Sequence, residues 1–194
     1  MLEVSGLKIN GLQILKRNLA VFCGVVFDFM LSGGLLCAQE SLAQRENAIK
    51  AGFLVGMQEF VTWELTHDSE KNVTYATIGD ASFGEIIERA VAAKKRNLED
   101  FQVAEFTTVE DITFVNFLFV RDYPEEEIGE LVSRCTELGI LTVSDQEGFV
   151  ANGGIVEFFR SNNRVRIRIN VGAAERANIK ISSKLLRLAE RVKR

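Results

Sequence analysis

Residues 114–143 read FVNFLFVRDYPEEEIGELVSRCTELGILTV. Phe114–Val120 is apolar at nearly every position, the pattern of a strand buried on both faces of a sheet, and Ile140–Val143 repeats it. Between them Ile128, Leu131, Val132, Cys135 and Leu138 fall at the i, i+3, i+4, i+7 spacing of a helix with one apolar stripe. Its ends are punctuated. Pro124 suits the first helical position after Asp122 or Tyr123, Glu125, Glu126 and Glu127 lie where the helix dipole favours anions, and Gly139 stops the helix. Two buried strands joined by a closely fitted helix make a parallel crossover unit.

The same alternation extends outward. Val73–Ile78 reads as a strand, Gly79-Asp80 as a turn with a capping carboxylate, and Phe83–Lys94 as a helix followed by Lys95 and Arg96, cations that suit its negative end. Gln102–Phe106 is a further strand and Val109–Ile112 one helical turn. Leu42–Trp63 lacks Pro and carries Ile49, Phe53, Met57, Phe60 and Val61, which predicts a first core helix with Phe53 and Phe60 inside. Downstream, Gly154–Arg160 and Arg164–Asn170 flank Ser161-Asn162-Asn163; Asn tolerates positive φ, so a hairpin is expected. The chain closes in helix, around Ala173–Ala177 and from Ser182 or Ser183 through Leu185, Leu186, Leu188 and Val192. The fold class is therefore α/β: a mostly parallel sheet flanked by helices, with an antiparallel C-terminal hairpin and a terminal helix.

With 194 residues, 47% apolar and 26% charged, and a single Pro, the chain has material for one globular core. A net charge of −4 gives no electrostatic reason to attract nucleic acid. Lys16 and Arg17 precede apolar runs at Leu19–Phe27 and Phe29–Leu36, a secretory pattern, with Ala38 placed before the scissile bond. Residues 1–38 are thus expected to be a signal peptide and residues 39–194 a single domain. Asp28 inside the run disfavours a permanent span; an uncleaved anchor and a lipoprotein modified at Cys37 stay open as alternatives. Cleavage would take Cys23 and Cys37 away and leave Cys135, on the apolar helix stripe, without an internal disulfide partner.

Several ordered motifs carry a family resemblance. Ala48-Ile49-Lys50-Ala51-Gly52-Phe53-Leu54, ending at Phe60 and Trp63, resembles the opening helix of the YfiR family of periplasmic regulatory proteins, and Gly79-Asp80-Ala81-Ser82-Phe83-Gly84 is similar to its Gly-Asp-x-x-Phe-Gly turn. The most specific matches are Leu141-Thr142-Val143-Ser144-Asp145, Gly148-Phe149, Gly153-Gly154, Ile169-Asn170, Ala173-Ala174 and the run Lys180–Ala189. The resemblance covers about Ala48 to Val192, with only pattern-level agreement between Val103 and Arg121. It implies a periplasmic, non-catalytic repressor that binds the periplasmic domain of a membrane diguanylate cyclase, forms a homodimer, and needs no cofactor. Some members carry redox-sensitive cysteine pairs; with Cys135 alone, this chain departs from that pattern.

Two groups are candidates for ligand or partner binding. Ser144 and Asp145 follow a parallel strand, where open α/β sheets place binding groups, and Gly153 and Gly154 would allow close backbone approach. Equally, Asp145 could cap a turn and the glycines supply positive φ. Lys180, Ser182, Ser183 and Lys184 surround a helix start suited to an anion, with helix capping as the plainer reading of the serines. His67, the sole His, sits in a polar stretch and reads as solvated, and Asn72-Val73-Thr74 is discounted as a glycosylation acceptor. No metal-ligand spacing, phosphate loop or catalytic triad is visible, so catalytic and metal residues are expected to be none. The alternative function is a small-ligand-binding accessory protein for a sensor kinase or outer-membrane receptor.

Overall fold

The computed structural model describes residues 42–63, 73–94 and 101–192. The expected signal segment, His67, Asn72, Lys95 and Arg96 lie outside the described residues. The sheet and the site below lie within the compact unit Arg45–Arg194.

Residues 42–57 are helical (α1), followed by strands β1 (Val61–Trp63) and β2 (Val73–Ile78), helix α2 (Ser82–Ala93), β3 (Phe101–Phe106) and β4 (Phe117–Val120). Helix α3 (Ile128–Leu138), β5 (Leu141–Ser144), β6 (Val156–Ser161), β7 (Arg164–Asn170), α4 (Val171–Arg176), β8 (Ile179–Ile181), α5 (Ser183–Leu186) and β9 (Glu190–Val192) complete it. The main sheet has seven strands in the order β3-β2-β4-β5-β6-β7-β9. Strands β3 through β6 in that order are parallel; β7 returns antiparallel to β6, and β9 lies parallel to β7. The α/β class, the parallel crossovers and the hairpin are all present. Asn162 and Asn163 take φ of 51° and 58°, the pair of left-handed residues that a two-residue hairpin turn requires.

Alternation along the buried strands sends side chains to two cores. Tyr75, Phe117, Phe119, Leu141 and Val143 face α1 and α2, packing on Leu54, Val55, Phe83 and Ile87. Ala76, Ile78, Leu118 and Val120 face α3, meeting Ile128, Leu131 and Cys135. Cys135 is fully buried, and burial pushes its thiol up to about 12, so the helix stripe read from the sequence is a core stripe.

Three expectations change at element ends. Pro124 adopts φ −56°, ψ 130°, an extended geometry, so the three glutamates form a 3-10 turn and α3 starts only at Ile128. Helix α1 does not reach Trp63: Gln58–Phe60 tighten into a 3-10 turn, and β1 pairs antiparallel with β8. The terminal helix is present but short, running Ser183–Leu186, after which β9 joins β7. A short helix gains little from its own hydrogen bonds, whereas β9 covers the edge that β7 would otherwise leave open. Val109–Ile112 is a turn closed by the Ile112 N–H donating to the Val109 carbonyl at 3.2 Å. Phe53 sits at the core's rim, 37% exposed, with its ring 6.4 Å from that of Phe158.

Candidate functional site

The strand order reverses at β2, which has β3 on one side and β4 on the other. In open α/β sheets the crevice beyond the carboxyl ends of strands at such a reversal is the usual ligand position. Here each of three neighbouring strands is followed closely by a charge: Asp80 one glycine after β2, Arg121 directly after β4 and Asp145 directly after β5. The Arg121 guanidinium donates to Asp145, with Nε 3.1 Å from both carboxylate oxygens, and to Asp80 Oδ2 at 3.3 Å. It also donates to Asn47 Oδ1 at 3.1 Å. Lys50 of α1 donates to Asp145 Oδ2 at 2.8 Å and pairs with Glu46 at 2.8 Å. The guanidinium carbon lies 4.6 Å and 5.0 Å from the ring centroids of Phe83 and Phe119, which are stacked at 3.9 Å. Shared donors and a flat aromatic support fix the charge in one place.

The network is largely out of water: the side chains of Lys50, Arg121 and Asp145 are only 11–13% exposed. Burial by itself would raise the Asp145 carboxyl, but the hydrogen bonds and charges of Arg121 and Lys50 win and hold it below its ordinary 3.8. Asp80 is likewise lowered against its burial, by Ser82 and Arg121. Its Oδ1 accepts from the Ser82 N–H at 2.9 Å, so the capping carboxylate expected in the Gly79-Asp80 turn is there. Gly79 is obligatory: at φ +90° a Cβ would stand 1.8 Å from the Arg121 carbonyl oxygen.

Beside this network a cleft of about 410 Å³ is bordered by Lys50, Asp145, Glu147, Glu157 and the β6 residues Phe158, Phe159 and Arg160. Glu157 is 1% exposed; it accepts from the Val150 N–H at 3.1 Å and from Arg168 Nη1 at 2.7 Å. Arg168 also donates to Glu190 and covers the Phe159 ring at 4.0 Å. Nearer the strand reversal, a second crevice of about 620 Å³ between Thr108, Glu110, Asp122 and Tyr123 has an acidic rim. Burial and the Glu127 carboxylate push the Tyr123 phenol up to about 12.

Of the residues singled out in the sequence, Asp145 is central to the network, while buried Ser144 supports its loop by accepting from the Gln146 N–H at 3.0 Å. Gly153 and Gly154 serve packing: Gly153 has φ +99°, and a Cβ on Gly154 would lie 2.2 Å from the Phe149 ring. Lys180, Ser182, Ser183 and Lys184 lie apart from the network, on the β8–α5 segment, where the Ser182 hydroxyl caps α5 by accepting from the Lys184 N–H at 3.3 Å. Sequence reasoning missed Arg121, Lys50 and Glu157. A readable signal existed for Arg121, a lone cation directly after a wholly apolar strand; Lys50, inside the apolar α1 run, gave a weaker one.

The fold and site define a class, a three-layer open α/β domain whose carboxyl edge is closed by a desolvated ion-pair network. The YfiR/HmsC-like family profile matches residues 47–190, and the chain belongs to that family. The family comprises periplasmic, non-catalytic regulators that act with membrane signalling proteins in cyclic di-GMP signalling. No helix among the described residues is long and apolar enough to cross a membrane. No curated protein matches. Among solved structures, a conserved domain protein from Vibrio cholerae O1 biovar El Tor is similar with a TM-score of 0.47 and 12% identity, covering 62% of this chain and 54% of that one. The ABC domain from Streptococcus pneumonia, solved in complex with L-Trp, is similar with a TM-score of 0.46 and 14% identity, covering 62% and 55%. The chain thus spans about half the length of either solved chain.

Proposed function

We propose that this protein is a periplasmic repressor, released by removal of residues 1–38, which as a homodimer grips the extracytoplasmic domain of a membrane diguanylate cyclase and holds it inactive. The observation that carries this reading is the family match across residues 47–190, which takes in every strand of the main sheet from β2 to β7. The site is consistent with a binding role: its charges are spent on one another, so the carboxyl edge is a stiff platform. Repression by grip is a population shift, in which the regulator stabilises the inactive conformation of its partner and a signal acts by weakening that grip.

The test has two arms. Deleting the gene is expected to raise cellular cyclic di-GMP, and the tagged mature protein is expected to co-purify from detergent-solubilised membranes with a cyclase. Unchanged cyclic di-GMP under envelope stress, together with no cyclase in the purified material, would refute the reading.

A further inference from the structure

The sheet has a step in it. Strand β5 ends opposite Glu157, at the pair Ser144↔Glu157, whereas β6 continues to Ser161 with only β7 beside it. About 13 Å of strand, Phe158 to Ser161, therefore has no neighbour on one side among the described residues. The two-residue turn makes Ser161↔Arg164 a pair that exchanges both hydrogen bonds, and Phe159↔Arg166 the next. It follows that the Arg160 N–H and carbonyl point to the open side. The 410 Å³ cleft is bordered by four consecutive β6 residues, Glu157 to Arg160, so the strand's edge faces it, and Glu46, Lys50, Asp145 and Glu147 line it too.

Side-chain chemistry flanks this edge. Phe158 is buried against the rim residue Phe53, and Ile49, one turn earlier on α1, is 49% exposed. Arg160 is 64% exposed, and its nearest carboxylate, Glu46 at 3.7 Å, is already held by Lys50 at 2.8 Å. Arg164 and Arg166 at the hairpin's outer end are also exposed. The open end of β6 is thus apolar on the helix side and positive at its tip.

We propose that the unpaired edge of β6 from Phe158 to Ser161 is a docking slot for an extended, mainly apolar segment of the partner that carries a carboxylate opposite Arg160, added as a strand in line with β5. A second copy paired about Arg160 would set that guanidinium against its own copy, and one paired about Phe159 would leave it without a carboxylate, so neither matches the positive tip. Added strands bind through main-chain hydrogen bonds and take specificity from alternate side chains. The inference deepens the repressor reading by naming its contact.

The experiment uses the mature protein and a fluorescein-labelled hexapeptide, Thr-Val-Glu-Val-Asp-Val, followed by anisotropy. Saturable binding is expected. N-methylation of alternate peptide amides, or replacement of both acidic residues by Lys, should weaken it at least about tenfold, the worth of one or two hydrogen bonds or a charge pair. Arg160→Pro removes both the outward N–H and the guanidinium opposite the peptide carboxylate, so it should weaken binding at least as much while keeping the β6–β7 hydrogen bonds; should that variant not fold, the N-methylated peptide on the parent protein decides. No binding to 1 mM peptide, on the order of the weakest useful affinity, or binding indifferent to N-methylation, overturns the slot. So does a change of oligomeric state in Arg160→Pro, which would make the occupant a second copy. Cyclase repression that survives intact in Arg160→Pro also removes the slot yet leaves the repressor reading standing.

Discussion

Replacing Arg121 with Met removes the guanidinium while keeping an unbranched apolar stem against Phe83 and Phe119. Asp145, 13% exposed, then keeps only Lys50, and Asp80 keeps only Ser82. Breaking a buried pair by removing one partner costs about 3–5 kcal/mol. The surviving Lys50 contact places this case near the low end, about 3 kcal/mol, or on the order of 6–12 °C in Tm for a domain of this size. Trp63, the single Trp, is anchored by its Nε1–H donating to the Gly139 carbonyl at 3.0 Å and by an edge contact on Phe117, so its fluorescence reports urea unfolding directly. Adding Asp145→Asn to Arg121→Met relieves the stranded charge, so the double variant should lose at least about 1 kcal/mol less than the two singles combined. The sign with pH follows from the lowered Asp145 carboxyl: its stabilisation is present above the unfolded value of 3.8 and is lost as pH falls through the lower folded value. The gap between parent and Arg121→Met should therefore narrow below about pH 3.8. A single-variant loss under about 1 kcal/mol, or strict additivity, would refute the network's role.

Gly79→Ala forces a Cβ into the Arg121 carbonyl and should cost at least about 2–3 kcal/mol by chemical denaturation; a loss under about 1 kcal/mol contradicts the close approach. Cys135, buried with its thiol at about 12, should resist iodoacetamide at pH 8 until the protein is unfolded, as mass spectrometry would record. Phe158→Ala, at a position 2% exposed, should cost about 3–5 kcal/mol, against about 1 kcal/mol for Phe53→Ser at the rim; equal losses would misplace Phe53.

The parallel sheet was legible because its strands are buried on both faces and its helices carry separate stripes, so periodicity and Gly139 together left one arrangement. Short elements were not. Residues 61–63 and 190–192 continue helical patterns, yet each is a strand because another strand lies beside it, and a pairing partner distant in sequence, more than a hundred residues away for 61–63, leaves no local trace. For the same reason Asp145 stood out after its strand while Lys50, 95 positions earlier, did not. The glycines at 153 and 154 matched a pattern whose cause, the Phe149 ring, is visible only in three dimensions.

The β1–β8 ribbon ties Val61 to Ile181. Contacts so distant along a polypeptide form late, since the intervening loop must first be gathered. During synthesis, the ribbon has no second half until residues 179–181 have left the ribosome. Until then Val61–Trp63 waits without its partner strand, so this corner of the fold is set by the slowest contact rather than by its local sequence.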